Sequence, residues 1–536
     1  MQVELVLLIL SLLFFISIVA DKIGFKFGVP ALLLFLVVGM FFGPHGMGAL
    51  ITGQGMEMDI DVAQAISTLA MCIILFSGGL DTKFSDIKAV MAPGITLATA
   101  GVFFTCVITG VIMYYVFGWL HAVSSVSIWM ALLMAATMSS TDSASVFSVL
   151  RTSGVGLKHN LRPLLELESG ANDPVAYVLT FTLIGIVQAI HLAGNTEVIT
   201  PLPIIQNIVI QLVMGTVIGV AFGEGLVQVL RRVKLGNESL YPIMILTACI
   251  FIFSVTYYLK GNAYLAVYVG GLVIGNNKFT RKRQTKSFFN GLSWLSQLSM
   301  FLMLGLMVKP AELLNYHVWL PCLFICIVMI FISRPIAVWL CMLPFRQYRQ
   351  RDRLMLSWVG LKGAVPIIFA IMCKAEGIPY ADLLFNVVFL CTLVSLLAQG
   401  TTLKKVAGQL DLLTTPEEVR TLEHFDMDLP DEIQSSAREV EVNEKMLEAG
   451  NTLRQLKLPP HTLIIMVRRG EDFFVPTGAS ELAAGDQLLV ISDQDAEATY
   501  KQMTNEAEEE AIWRAEMKQK LKARFERMTT WMKKGK

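Results

Sequence analysis

The sequence predicts an α-helical polytopic membrane protein of about thirteen transmembrane helices, followed by a small α+β cytoplasmic domain. Of its 536 residues, 54% are apolar and 16% are charged, whereas soluble proteins average about 45–50% apolar and about 25% charged residues. The apolar residues lie in long blocks, and the mean hydropathy is +0.60. After Lys405 the blocks end and short alternating apolar runs begin. These observations exclude an ordinary soluble enzyme.

Thirteen blocks before Lys405 approach the roughly 20 apolar residues that a membrane-spanning helix needs. The blocks 30–46 and 263–276 are the weakest, because they are short or rich in glycine. The first block lacks a basic leading segment and a cleavage site before Asp21, so we predict a retained helix there. The blocks are 3–20, 30–46, 62–79, 91–117, 125–150, 161–190, 203–230, 242–259, 263–276, 288–308, 317–342, 354–374 and 383–404.

The Lys and Arg residues between the blocks predict the orientation in the membrane. Segments after odd-numbered helices contain nineteen of these residues, and segments after even-numbered helices contain three. Cytoplasmic loops carry the excess of Lys and Arg in membrane proteins. We therefore expect a periplasmic N-terminus and a cytoplasmic C-terminus.

Asp142 lies inside the fifth block, in the stretch Met138-Ser-Ser-Thr-Asp-Ser-Ala-Ser145. A charge at membrane depth is costly and therefore needs a partner, a cavity or a function. The flanking hydroxyls can bond free backbone carbonyls, which favours an interrupted helix whose carbonyls and carboxylate bind a cation. The alternative is a polar patch that hydrogen-bonds a neighbouring helix.

The sixth block carries the polar stretch Glu166-Leu-Glu-Ser-Gly-Ala-Asn-Asp-Pro174. Helical spacing places Ser169 and Asp173 on one face, and Glu168 and Asn172 on a second face about 100° away. Asp173 lies about a dozen residues into this helix, near the midplane of a span of roughly 20 residues. We therefore predict a functional carboxylate at Asp173.

Two cations lie at membrane depth in later blocks. Arg334 lies deep in helix eleven and must be paired, and we expect Glu168 to pair with it. Lys362 lies in Gly360-Leu-Lys-Gly-Ala-Val-Pro366, where the glycines and the proline predict a second broken helix. There Lys362 would neutralise the ends of facing half-helices, although a lysine that reaches to the interface is an alternative. Interrupted helices in both halves are typical of inverted-repeat secondary transporters.

Four motifs resemble those of the monovalent cation:proton antiporters, in the NhaP branch: Thr141-Asp142, Glu168-Ser-Gly-Ala-Asn-Asp173, Arg334 and Gly360-Leu-Lys-Gly-Ala364. The resemblance covers about residues 1–405 and implies a dimer of thirteen-helix protomers, each with two crossed broken helices. It implies that the ion and the proton bind at Asp173, and that the site is completed by Asp142, Thr141, Ser169 and Asn172. It also implies a structural role for the pair Glu168–Arg334. Relatives often have arginine where Lys362 stands, and lysine keeps the charge but loses the fork of donors.

The tail after Lys405 differs from the rest in charge and pattern. Residues 406–536 carry 25 acidic and 17 basic residues. We predict a transmembrane antiporter domain over 1–405, a linker over 406–435, a small α+β domain over 436–495 and a charged helix over 496–536.

The small domain resembles the C-terminal lobe of RCK domains, also called TrkA-C, through the stretches 448–459, 464–470 and 482–490. Such lobes usually dimerise and regulate potassium channels and transporters. A nucleotide is therefore one expected class of tail ligand, although the G-x-G-x-x-G motif of the companion lobe does not occur in the tail.

The combined resemblance implies a potassium/proton antiporter of the bacterial inner membrane, surrounded by lipid and assembled as a homodimer. It implies no enzymatic activity, no nucleic-acid partner and no cofactor or metal apart from the transported alkali cation. Cation and proton would compete at Asp173, and Asn172 adds no second titrating group, which implies electroneutral exchange. Sodium is the alternative main substrate, because ion choice depends on cavity size and oxygen count.

Three other classes each require a motif that the sequence lacks. An RCK-regulated potassium channel would show filter loops of the T-V-G-Y-G type. A glutathione-gated Kef-type system would carry the dinucleotide-binding lobe, and an ATP-driven pump would carry G-x-x-x-x-G-K-[ST].

Overall fold

The structure, a computed structural model, describes most of the chain between residues 31 and 492. The described segments are 31–43, 59–119, 126–142, 156–193, 201–233, 235–309, 316–413, 437–442 and most of 445–492, with scattered positions in 8–19 and at Val146 and Leu313. The chain divides into two compact units, Met1–Thr414 and Thr415–Lys536, and each is described by itself. Most of the predicted linker and all of the predicted charged helix 496–536 lie outside the described residues.

The first unit is entirely helical apart from a single bridge between Leu157 and Leu413, as far as the structure describes it. Short 3-10 and π segments interrupt three of its long helices, over Lys88–Val90, Leu97–Gly101, Met329–Ser333 and Leu396–Gly400. The helices are α1 (Ala31–Phe42), α2 (Ile60–Asp81), α3 (Phe84–Ile87), α4 (Met91–Thr96), α5 (Val102–Trp119), α6 (Ile128–Thr137), α7 (Leu161–Ala193), α8 (Pro201–Arg232), α9 (Leu240–Tyr258), α10 (Ala263–Asn276), α11 (Lys282–Met307), α12 (Tyr316–Val328), α13 (Arg334–Met342), α14 (Gln350–Trp358), α15 (Ala364–Ala375), α16 (Ala381–Ser395) and α17 (Thr401–Gln409).

Seven helical segments in the described part are long and apolar enough to cross a membrane. They are Ile60–Asp81, Phe84–Gly118, Leu161–His191, Leu202–Arg232, Leu240–Tyr258, Trp319–Met342 and Ala381–Gln409. Four shorter apolar helices accompany them, including α6 and α15. The predicted helical membrane architecture is confirmed, while the number thirteen stays a prediction.

The helices of the first unit pack in two groups. One group, here called the α10 bundle, contains α1, α2 and α8–α11; the other, here called the site bundle, contains α3–α7 and α12–α17. Close backbone approach holds α10 against α2: a Cβ on Gly79 would lie 2.4 Å from the Tyr268 carbonyl oxygen, and one on Gly271 would lie 2.5 Å from that of Phe76. Only glycine allows this approach, as is common where membrane helices cross.

Two helical segments of the site bundle give way to non-helical backbone. Helix α6 ends at Thr137, and residues 139–142 continue without helical structure. The predicted block 125–150 therefore loses its helix at Thr137, since hydroxyl-bearing residues compete for the backbone hydrogen bonds there. The second break separates α14 from α15 over residues 359–363. The two breaks meet, because the Asp142 amide donates to the Leu361 carbonyl at 2.8 Å.

The second unit contains a four-stranded antiparallel sheet with strand order β1-β4-β2-β3. Its strands are β1 (Ala437–Glu441), β2 (Thr462–Arg469), β3 (Asp472–Phe474) and β4 (Gln487–Ser492). One face buries an apolar core that includes Val440, Val467, Leu488 and Val490. Alternating apolar residues in β2 and β4 form this core, as the period of two in a strand requires.

Candidate ion-binding site

The site lies where the two breaks cross. Lys362 is 3% exposed, and its Nζ donates to the Ser140 carbonyl at 2.9 Å. Its backbone N–H donates to the Ser395 hydroxyl at 3.0 Å. Lys362 thus holds the second break against the first and against α16.

The charges at the crossing match the helix ends that they face. Ser140, which binds the ammonium of Lys362, lies just beyond the C-terminus of α6. The Asp142 carboxylate lies beside Gly363, which precedes α15, and a Cβ there would be 2.3 Å from Asp142 Oδ2. A cation near a helix C-terminus and an anion near an N-terminus are each stabilised by the helix dipole.

Helix α7 supplies the third side of the site. The Ser169 hydroxyl donates to the Thr141 carbonyl at 2.8 Å, and Asn172 Nδ2 donates to Thr141 Oγ1 at 2.6 Å. Ser169 and Asn172 therefore both reach the extended segment, although helical spacing had placed them on different faces. Both side chains are buried. These bonds fix the position of α7 against the first break.

Asp173 projects from α7 toward the same place. The residue is 7% exposed, and its Oδ1 has no hydrogen-bond partner among the described residues. The Oδ1 atom of the adjacent Asn172 is likewise buried without a described partner. Buried polar atoms are nearly always satisfied, so the carboxylate oxygen of Asp173 without a described partner indicates a place for a cation or a proton.

A cavity of about 800 Å³ leads to this point. Asp142, Ser169 and Asp173 line its deep end. Its lining also includes charged residues at the end of α2, around α3 and at the start of α7, namely Asp81, Lys83, Asp86, Arg162 and Glu166. Charged side chains of both signs therefore line the cavity that also contains Asp173.

Three aromatic rings pack together about one turn beyond Asp173. Tyr177 lies one turn further along α7, and its ring centroid is 4.6 Å from that of Tyr264 and 6.3 Å from that of Phe369. Tyr264 is 4% exposed and Phe369 is fully buried. None of these three aromatic residues lines the cavity.

Glu168 and Arg334 form an ion pair away from this cavity. Arg334 Nη2 donates to Glu168 Oε1 at 2.5 Å, with side chains 5% and 1% exposed. Arg334 Nη2 also lies 3.4 Å from the Leu356 carbonyl. Neither residue lines the cavity, and the pair joins α7 to α13 and α14.

Several residues of the site carry no signal in the sequence. Ser395 contacts Lys362 across 33 positions, and Tyr268 packs on Gly170, where a Cβ would lie 2.5 Å from the ring. Both occur in apolar helices whose pattern indicates only burial. The described residues contain no cluster of three or more His, Cys, Asp or Glu that would hold a metal ion. The donor set consists of oxygens, which suits hard cations.

Interrupted helical segments that meet beside a buried carboxylate define an ion-transporting class of membrane protein. Residues 7–408 match the family described as "Sodium/hydrogen exchanger, transmembrane", and residues 438–504 match the TrkA-C domain. The chain belongs to the sodium/hydrogen exchanger family and carries a TrkA-C domain after its transmembrane part. The predicted class of cation/proton antiporter is confirmed.

Two relatives lie within the same family. The chain is 34% identical over 504 residues to the K(+)/H(+) antiporter NhaP2 of Shewanella sp. (strain MR-4), covering 94% of this chain and 83% of the relative. It is 39% identical over 411 residues to the K(+)/H(+) antiporter NhaP of Alkalimonas amylolytica, covering 76% and 67%.

A solved structure shows the same fold. The sodium proton antiporter MjNhaP1 from Methanocaldococcus jannaschii at pH 8 superposes with a TM-score of 0.63 at 22% identity. The match covers 76% of this chain and 99% of that protein. The predicted fold class, a helical membrane antiporter followed by a small sheet domain, is therefore confirmed.

Proposed function

We propose that this protein exchanges cytoplasmic potassium for protons across a bacterial inner membrane. The observation that carries the proposal is the buried carboxylate of Asp173, which lines the cavity and whose Oδ1 has no hydrogen-bond partner among the described residues. Relatives that are named K(+)/H(+) antiporters and cover most of the chain support potassium as the cation. The protein acts as a transporter, without enzymatic activity, nucleic acid or a resident metal or cofactor.

Competition at one carboxylate couples the two fluxes. Asp173 holds either a proton or an alkali cation, and neighbouring oxygens complete the cation shell. These are the oxygens of Asp142, Thr141, Ser169 and Asn172. Asn172 is an amide and adds no titrating group, so the site carries the same charge with either ligand. The exchange is therefore one for one and electroneutral.

Alternating access follows from the two bundles. The cavity opens at the end that carries Lys83, Asp86 and Arg162, which lie in segments that the positive-inside rule assigns to the cytoplasm. Movement of the site bundle past the α10 bundle exposes Asp173 to the opposite side. The protein forms a homodimer, with a periplasmic N-terminus and a cytoplasmic C-terminus.

The tail regulates this exchange. The match to the TrkA-C domain supports a regulatory role for the predicted domain 436–495, which the linker 406–435 connects to the transmembrane domain 1–405. A nucleotide is the class of ligand that we assign to it.

Sodium is the second candidate substrate. A relative in Pseudomonas aeruginosa that is named a Na(+)/H(+) antiporter is 27% identical over 359 residues, which cover 64% of this chain and 80% of that protein. The oxygen ligands of the site suit either ion, and the choice depends on the size of the occupied cavity.

Proton movement in everted membrane vesicles tests the proposal. Respiration acidifies the vesicles, and potassium, sodium or lithium salts are then added at several pH values. We expect potassium to release protons in the wild type and no cation to do so in Asp173→Asn. Sodium-only release would change the substrate but keep the mechanism. Full activity in Asp173→Asn would place the site elsewhere.

The same vesicles test electroneutrality and the channel alternative. A permeant anion such as thiocyanate removes the membrane voltage while the proton gradient remains. We expect the cation-evoked proton release to stay unchanged. A strong dependence on voltage would contradict one-for-one exchange, and potassium flux without proton movement would indicate a channel.

A further inference from the structure

Asn262 forms a hydrogen bond between the two bundles directly beside the ion site. It precedes α10 and is fully buried. Its Nδ2 donates to the carbonyl of Pro174 at 2.8 Å. Pro174 follows Asp173 in α7, so this bond attaches the α10 bundle to the backbone next to the functional carboxylate.

The other described hydrogen-bond partners of Asn262 belong to its own bundle. Its Oδ1 accepts from the Leu265 N–H at 3.0 Å and caps α10. Its backbone N–H donates to the Gln211 carbonyl of α8 at 3.0 Å. The side chain therefore has two separate tasks: the oxygen caps a helix, and the amide nitrogen reaches across to Pro174.

The bond lies away from the cavity. Tyr264, two residues after Asn262, packs against Tyr177, three residues after Pro174. None of these four residues lines the cavity that reaches Asp173. Asn262 and Tyr264 therefore contact α7 next to Asp173 outside the cavity lining.

We infer that Asn262 is a latch that stabilises the arrangement open to the cavity side. This inference rests on the proposed alternating access. When the site bundle moves past the α10 bundle, Pro174 moves with Asp173 while Asn262 stays with α8 and α10, so the bond must break. Asn262 is a positioning residue, since it sets the balance between two states and does not contact the ion.

Loss of one hydrogen bond of ordinary net strength changes an equilibrium about fivefold. Without the latch, the ratio of outward-open to inward-open protein rises by that factor. The apparent dissociation constant at each face is the intrinsic constant divided by the fraction of protein that is open to that face. The KM for potassium at the cytoplasmic face therefore rises, the KM at the outer face falls, and their ratio rises about fivefold.

Substitutions at Asn262 separate the latch from the helix cap. Serine caps a helix about as well as asparagine, but its hydroxyl is too short to reach Pro174. Asn262→Ser therefore loses the latch and keeps the cap, whereas Asn262→Ala loses both. Asn262→Thr also keeps the cap oxygen and fills more of the space that the asparagine side chain occupies. It replaces the serine variant in the test if that variant fails to accumulate in the membrane.

The test measures potassium-dependent proton movement in everted and in right-side-out vesicles at equal pH on both sides. If the wild type exchanges sodium but not potassium, sodium replaces potassium as the probe. We expect the ratio of cytoplasmic to outer KM to rise about fivefold in Asn262→Ser or Asn262→Thr, with exchange retained. An unchanged ratio, or a parallel rise at both faces, would overturn the latch. Exchange that persists in Asp173→Asn would instead overturn the proposed function, whatever the ratio.

Discussion

The ammonium nitrogen of Lys362 lies 2.9 Å from the carbonyl oxygen of Ser140. One broken helix thereby supplies the donor for a carbonyl that the other broken helix leaves free. The two residues are separated by 222 positions in the chain. This contact fits the predicted compensation of a half-helix end, and it adds a side-chain bond to the backbone bond between Asp142 and Leu361.

Replacing Lys362 by methionine should lower exchange about tenfold or more. The substitution removes a charged hydrogen bond, which contributes about 1.5–3 kcal/mol, and leaves the Ser140 carbonyl buried without its donor. The initial rate of cation-evoked proton release in everted vesicles measures the effect. Lys374→Met is the matched control, because Lys374 lies on α15, pairs with the exposed Asp382 of α16 at 2.8 Å and does not line the cavity. Equal rates in the two variants would contradict this role.

A methyl group on Gly363 should displace the Asp142 carboxylate. Its Cβ would lie 2.3 Å from Asp142 Oδ2 and 2.6 Å from the Asp142 Cβ. We expect Gly363→Ala to lose about 1–3 kcal/mol of stability through this overlap, and to weaken the apparent affinity for the cation. Gly185→Ala on α7 is the control, since nothing lies within 4 Å of its Cβ position. The measurement is the KM for potassium in both variants, which should rise in Gly363→Ala only. A normal KM in Gly363→Ala would show that Asp142 needs no fixed position.

Breaking the pair Glu168–Arg334 should destabilise the protein strongly. Glu168→Gln leaves a buried guanidinium without its counter-charge, which costs about 3–5 kcal/mol. Thermal unfolding of the purified protein measures the loss. The double substitution Glu168→Met with Arg334→Met should lose less than the sum of the single changes, because neither charge then stays buried alone.

The exposed pair Arg162–Glu166 provides the comparison. It spans one turn of α7 at 3.0 Å, with side chains 56% and 30% exposed. Its removal by Arg162→Gln should cost no more than about 0.5 kcal/mol. Similar losses for the exposed and the buried pair would argue against a structural role for Glu168.

The tail domain should lose stability in acid through Asp486. Burial acts to raise the pKa of its carboxyl, but hydrogen bonds from Arg469 and from the Ala483 N–H outweigh burial and hold the pKa below its usual value. A lowered pKa in the folded state contributes stability above the unfolded value of about 3.9, and this contribution is lost as pH falls through the folded pKa.

Hydrogen exchange of the β2 and β4 amides in the full-length protein, corrected for the intrinsic rate, tests this. Protection should be constant above about pH 5 and should fall below about pH 4. Asp486→Asn should lower protection by about 1–3 kcal/mol near neutral pH and flatten the acid dependence. Asp472→Asn, an exposed site on β3, is the control. An unchanged acid profile in Asp486→Asn would assign the transition to another group.

The general architecture was predictable because its causes are local. Apolar blocks of spanning length must leave water, and a charged residue inside such a block must have a partner or a function. These two rules predict that Asp142, Asp173 and Lys362 have a partner or a function. The two breaks are predictable as well, since hydroxyl-bearing residues and glycine weaken a helix wherever it packs.

The sequence by itself determined the class of protein, the two broken helices and the residues whose charge has to be explained. Only the tertiary structure decided their partners: Ser140 for Lys362, Pro174 for Asn262 and the opening of one cavity toward Asp173. The hydrogen bonds at the site join residues that lie from 28 to 222 positions apart, and a residue such as Asn262 has the same local pattern whether it caps one helix or also binds another. The physical reason is that hydropathy sets where a segment lies, whereas packing between distant helices sets what each polar atom contacts.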